Sequence, residues 1–178
     1  MGVDLSEGGI WGTILKTSTP VVVAFFLQSA FNIVDAFFVG RISSEALAAV
    51  SISFPVVFLI ISLGSGIGIG ATSVVARFIG AKEHRRADNA AEHALLVAGF
   101  TGVSLSVCGF FVAPMLFEWI GASGNLKALA VDYINILLFF SVFMLLGMVA
   151  NSILRGEGDM KTPMKVMGFS AVLNMILD

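Results

Sequence analysis

The stretch TSTPVVVAFFLQSAFNIVDAFFVG, residues 17–40, decides the fold. Thr17 to Val34 carry no charge, Asp35 interrupts the run, and Ala36 to Gly40 are again uncharged. A run of this length and apolarity reads as a helix crossing a bilayer, which takes roughly 20 apolar residues. A carboxylate inside such a helix is expensive, and residues of that kind usually mark an ion or proton pathway.

The rest of the chain repeats the pattern. Further uncharged runs are Ala46–Ala76, Ala94–Phe117, Tyr133–Leu154 and Val166–Leu177. All but the last reach the roughly 18–20 residues that span a hydrocarbon core. Hydrophobic residues make up 57% of the chain and charged ones 12%, with a mean hydropathy of +0.97, far from the roughly 25% charged residues of a soluble domain. Strict alternation of apolar and polar residues is absent, which counts against a transmembrane β-barrel. The fold class is therefore all-α and polytopic. Spans are expected at about 14–40, 47–78, 94–117, 133–154 and 164–178, joined by polar loops at Ile79–Glu92, Glu118–Asp132 and Arg155–Lys165.

Basic residues predict the orientation. With loops numbered alternately, one side holds Lys16, Arg77, Lys82, Arg85, Arg86, Arg155, Lys161 and Lys165, and the other only Arg41 and Lys127. That asymmetry puts the N-terminus in the cytoplasm. Trp11, Trp119 and Tyr133 fall beside expected interfaces, as amphipathic rings do. The net charge of −2 gives no reason to expect a nucleic-acid partner. Cys108 is alone, so no disulfide framework exists. Met1–Ile14 lacks the features of a signal peptide. Leu5, Ile10, Trp11, Ile14 and Leu15 suit either a short interfacial helix or a polar start. From Lys165 to Asp178 an upright helix climbs only roughly 20 Å, against a core of roughly 30 Å. Asp178 therefore reads as a truncation point within a longer protein.

Polar residues inside the spans carry the functional expectation. Gln28, Asn32 and Asp35 stand at i, i+4 and i+7 and share one helix face. That face looks into a protein interior or a wet cavity. Asn174 and Asp178 stand at i, i+4 in the fifth span. Lys16 lies roughly 28 Å of helix below Asp35, and Lys165 roughly 20 Å below Asp178, so the two acids sit at comparable depth. Such a pair could hold H⁺ or bind Na⁺ through carboxylate and amide oxygens, and either event can bias a helix between two shapes. Gluing helices by hydrogen bonds is the structural alternative. Pro20 removes one helical hydrogen bond and offers a bend, static or mobile. Asn151 suits a hydrogen bond near the inner end of its span, and Tyr133 stands at the outer rim.

Three tempting motifs fail or shrink. Gly64-Ser-Gly-Ile-Gly-Ile-Gly70 has no strand before it and lies in an apolar span, so it is no nucleotide fingerprint. Its Gly64/Gly68 and Gly66/Gly70 pairs suit close helix packing instead. His84 and His93 lack metal-ligand spacing and read as solvated. Gly156-Glu-Gly-Asp159 matches the Gly-x-Gly-Asp string of intramembrane aspartyl proteases, yet it lies in a polar loop between Arg155 and Lys161. No enzyme activity is expected.

Several of these residues together resemble the multidrug and toxic compound extrusion (MATE) transporters, especially their archaeal and bacterial DinF-like branch. The marks are Pro20 to Asp35 with Gly40-Arg41, Glu45-Ala-Leu-Ala-Ala-Val50 and Val75-Ala-Arg-Phe-Ile-Gly-Ala-Lys82. They continue with Leu154-Arg-Gly-Glu-Gly-Asp159, Lys161-Thr-Pro-Met164 and Leu173-Asn-Met-Ile-Leu-Asp178. The resemblance implies twelve helices in two pseudo-symmetric lobes around a cleft. This chain would supply the first four helices and part of the fifth, without the second lobe. It implies export of cationic or amphipathic compounds in exchange for H⁺ or Na⁺ by alternating access, from the plasma membrane and as a monomer when full length. It also implies a coupling site at Asp35, Asn174 and Asp178, supported by Tyr133 and able to hold Na⁺. Gln28 and Asn151 would line the substrate cavity, with Asn32 on the Gln28 face, and Pro20 would be the bend. No cofactor beyond the coupling ion is implied. The alternatives are a lipid or oligosaccharide-lipid flippase of the same superfamily, and a membrane fragment without turnover.

Overall fold

Five helices follow one another along the chain: α1 Ile10–Ile42, α2 Ser44–Gly80, α3 His84–Trp119, α4 Gly124–Gly156 and α5 Lys161–Leu177. This computed structural model describes residues 10–177, and no strand occurs among them. Leu5 and Asp178 lie outside the described residues, while Ile10 and Leu15 fall in the first turns of α1. α2, α3 and α4 are each long and apolar enough to cross a membrane.

The helices overrun their apolar windows. α3 begins ten residues before Ala94, so most of the expected loop Ile79–Glu92 is helix and the turn is only Ala81–Glu83. Likewise α4 starts at Gly124, well before Tyr133. Apolarity marks where a helix lies in lipid; the helix itself continues into water as long as its residues favour it. The ends are set by capping. At the C-terminus of α2 the Lys82 N–H donates to the Ile79 carbonyl (3.0 Å) and the Glu83 N–H to that of Phe78 (2.9 Å). Gly121 and Ala122 close α3, and Gly158 and Asp159 close α4, with the same paired bonds. This closure needs a left-handed residue. Gly121 (φ 91°) and Gly158 (φ 83°) supply it readily, whereas Lys82 (φ 60°) takes it with a side chain. Ser43 caps α2, its Oγ accepting from the Ala46 N–H at 3.0 Å. Asp159 accepts from the Lys161 and Thr162 N–H groups and, at 2.6 Å, from the Thr162 hydroxyl. The Thr162 hydroxyl first, and its N–H second, hold the Asp159 carboxyl below its usual range.

α2, α3 and α4 form an up-down-up bundle, with α2 and α4 parallel, around Ile60, Val75, Phe117, Ile134, Leu138, Leu145 and Val149, all essentially inaccessible. At one end Asn125 donates to Glu45 and Lys127 pairs with Glu118 at 2.8 Å. The Lys127 ammonium accordingly holds the Glu118 carboxyl below its usual range. At the other end Gly156 of α4 lies against Thr72 of α2. α4 is the central element, and glycines let its neighbours approach. A Cβ on Gly64 would stand 2.8 Å from the Met148 sulfur, and one on Gly68 2.5 Å from the Ser152 Oγ. On the opposite side a Cβ on Gly102 would stand 2.6 Å from the Val142 Cα. The Gly64/Gly68 pair therefore packs as the sequence suggests, while Gly66 and Gly70 face open space. Polar groups reinforce the seams: the Thr72 hydroxyl lies 2.7 Å from the Ser152 carbonyl, and the hydroxyl of Ser141, fully buried, lies 3.1 Å from the Gly102 carbonyl of α3. Outward, Phe100, Phe111, Phe139, Phe143 and Phe169 are broadly exposed. In a chain this apolar that is the surface a bilayer would cover.

Candidate functional site

α1 and α5 pack on each other beside the bundle, α1 also touching α2 and α5 touching α4. Both climb in the same direction, from the end that carries Arg77 and Lys161 toward the end that carries Glu45. Their register is read from Gly168, whose Cβ position lies 3.6 Å from Leu27 Cδ1. Asp35 follows Leu27 by eight residues, roughly 12 Å of helix, and Asn174 follows Gly168 by six, roughly 9 Å. The backbone thus carries Asp35 and Asn174 to nearly the same depth on adjacent helices.

The side chains of Pro20, Gln28, Asp35 and Asn174 lie outside the described residues, as does Asp178 altogether; the first four are placed by helix position only. α1 runs as one helix through Pro20. Asn32 is exposed on α1, and Tyr133 is half-buried on α4; each has an interaction partner. Asn151, also half-buried on α4, donates to the Gly147 carbonyl of its own helix at 3.0 Å rather than to a neighbouring helix. Among the described residues no three His, Cys, Asp or Glu side chains cluster as metal ligands.

Two features were not singled out from the sequence. One is the run of close approaches by Gly102, Gly109 and Gly156, each against α4 or α2. Small residues spaced along apolar runs were the available signal, but only pairs four apart stood out. The other is the buried hydroxyl of Ser141, which looked like any serine in a span.

The MatE family model matches residues 20–178. The chain is 33% identical over 174 residues to the FAD transporter of Shewanella oneidensis, covering 98% of this chain and 38% of that protein. It is 32% identical over 173 residues to a probable multidrug resistance protein of Bacillus subtilis, covering 97% and 37%. A crystal structure of MATE in the straight conformation superposes with a TM-score of 0.92 at 36% identity, over 99% of this chain and 39% of that one. The chain thus spans about two fifths of the length of these relatives.

Proposed function

This chain belongs to the MatE family, and we propose from that membership that it forms the first-lobe part of an antiporter exporting cationic or amphipathic compounds. Members of this family are secondary transporters rather than enzymes, and they work embedded in a membrane. The observation that carries the proposal is the parallel packing of α1 on α5 at a register that brings Asp35 and Asn174 level.

In this reading Asp35, Asn174 and Asp178 bind the coupling ion, H⁺ or Na⁺, with Tyr133 in support. Two carboxylates with an amide between them offer the hard oxygens that Na⁺ takes and can equally share a proton. Ion binding removes negative charge from a low-dielectric site, which changes what α1 prefers to contact. Pro20 gives α1 a point at which to bend in response. Gln28, Asn32 and Asn151 face the substrate. The N-terminus lies on the cytoplasmic side of the plasma membrane, and the full-length transporter acts as a monomer. Likeness to an FAD transporter puts a flavin dinucleotide among the compounds to test.

The test is efflux from proteoliposomes holding the full-length protein, under separately imposed pH and Na⁺ gradients. Cationic dyes and FAD are the substrates, and Asp35→Asn is the control. Gradient-driven efflux that falls to background in Asp35→Asn is expected. Undiminished coupled efflux by that variant would sink the reading.

A further inference from the structure

Where α2 and α3 meet at the basic end, a groove of about 460 Å³ opens between Phe78 of α2 and Arg85, Arg86, Asn89, Ala90 and His93 of α3. Its polar lining contains two guanidiniums, an amide and an imidazole, and no carboxylate. Arg85, Asn89 and His93 are spaced i, i+4, i+8 and so share one face of α3. Glu83 pairs with Arg86 at 2.9 Å, whereas Arg85 makes no ion pair or hydrogen bond among the described residues. The His93 Nδ1–H donates to the Asn89 carbonyl at 2.8 Å, since a carbonyl only accepts, and Nε2 is left without a partner among the described residues. Asp88 and Glu92 stand on α3 outside the lining.

Depth gives this groove its meaning. The apolar run of α3 begins at Ala94, so His93 stands at the hydrocarbon border. Asn89 lies roughly 6 Å and Arg85 roughly 12 Å further along the helix. A headgroup layer extends roughly 5–7 Å beyond the hydrocarbon on each side. His93 and Asn89 therefore fall within that layer, and Arg85 stands roughly 5–7 Å beyond its outer edge, facing the headgroups from the water side. Phe78 and Ala90 provide an apolar floor beneath the charges. The early start of α3, ten residues before its apolar run, is what stands this face up through the layer.

We propose that the groove binds the phosphodiester headgroup of an anionic phospholipid in the leaflet on the basic side of the membrane. The guanidinium forks match phosphate oxygens, with Arg85 uncommitted and Arg86 able to exchange Glu83 for the lipid. Basic pockets between helices at this depth are suited to such headgroups. The apolar floor and the depth favour a lipid over a free anion, which would have no use for Phe78.

Native mass spectrometry of the detergent-solubilised full-length protein tests this, by titrating phosphatidylglycerol against phosphatidylcholine. Phosphatidylglycerol is expected to bind preferentially, and Arg85→Gln to weaken it about fivefold, with a similar further loss in Arg85→Gln/Arg86→Gln. Both side chains are exposed, so the variants should fold, which size exclusion verifies. Lys161→Gln removes a basic residue from the same end but outside the groove, and should leave phosphatidylglycerol affinity unchanged. An equal loss in Lys161→Gln would overturn the site in favour of diffuse attraction. Unchanged binding in the double variant would overturn it outright. Glycerol phosphate that displaces the lipid completely at millimolar concentration would reassign the groove to a soluble anion, and resistance to it supports the lipid.

Discussion

The α2–α3–α4 bundle and the α1–α5 pair are built from the same apolar material and held together differently. In the bundle, Gly102 lets the backbone of α4 approach so closely that no side-chain atom fits between, and Gly68 and Gly64 leave room for the side chains of Ser152 and Met148. The fully buried side chains among the described residues all belong to this bundle. In the pair, a Cβ on Gly168 would meet Leu27 Cδ1 at 3.6 Å, an ordinary van der Waals distance, and the pair touches the bundle through α1 against α2 and α5 against α4. Close backbone packing admits one arrangement, because interiors at crystal-like density do not deform gradually. Looser side-chain contact allows one helix to shift against another. The proposed response of α1 to a bound ion would need the second kind of contact.

Substitutions can break that contrast. Gly102→Ala would force its Cβ into the Val142 backbone, which cannot rotate away, and should cost about 3 kcal/mol of stability. The expected readout is a large fall in melting temperature, or loss of monodisperse protein. Gly68→Ala meets the Ser152 Oγ, a side chain that can turn aside, though its bond to the Met148 carbonyl would suffer. A smaller loss of about 1–2 kcal/mol is expected, measured the same way.

A milder effect tests how α5 begins. Since the folded state holds the Asp159 carboxyl below its usual range, its capping contribution is present above the unfolded pKa and is lost as pH falls through the folded one. Asp159→Ala should fray the first turn of α5 at neutral pH, seen as faster amide exchange at Lys161 and Thr162. In acid the variant and the parent should converge. Persistent protection in Asp159→Ala would mean that packing alone fixes the start of α5.

Smallest of all should be Gly168→Ala in the pair and Gly66→Ala on the open face of α2, each within about 0.5 kcal/mol of the parent. If Gly168→Ala destabilised as much as Gly102→Ala, the pair would be as tightly locked as the bundle and the contrast would fail.

Much of this was legible in advance for a physical reason. Uncharged runs long enough to span hydrocarbon are visible without any alignment, and so is a carboxylate within one, because the bilayer penalises charge so steeply. The Gly64/Gly68 pair was readable as a packing stripe because four-residue spacing returns to the same helix face. That spacing could not say why Gly66/Gly70, equally spaced, faces open space. Loop lengths at Ile79–Glu92 and Glu118–Asp132 were overestimated, since polarity reports the water boundary and not the end of a helix. The groove at Arg85, Asn89 and His93 was likewise hidden, because it needs Phe78 of another helix as its floor.

What the sequence by itself determined is therefore what the membrane imposes: helical spans, their order, the basic and less basic ends, and the acid in α1. Those follow from one-dimensional patterns of charge and apolarity. Only the tertiary structure decided that α4 is central and that α1 pairs with α5. Helix pairing depends on which small residues face each other across separate runs, and that information exists only once the helices are placed side by side.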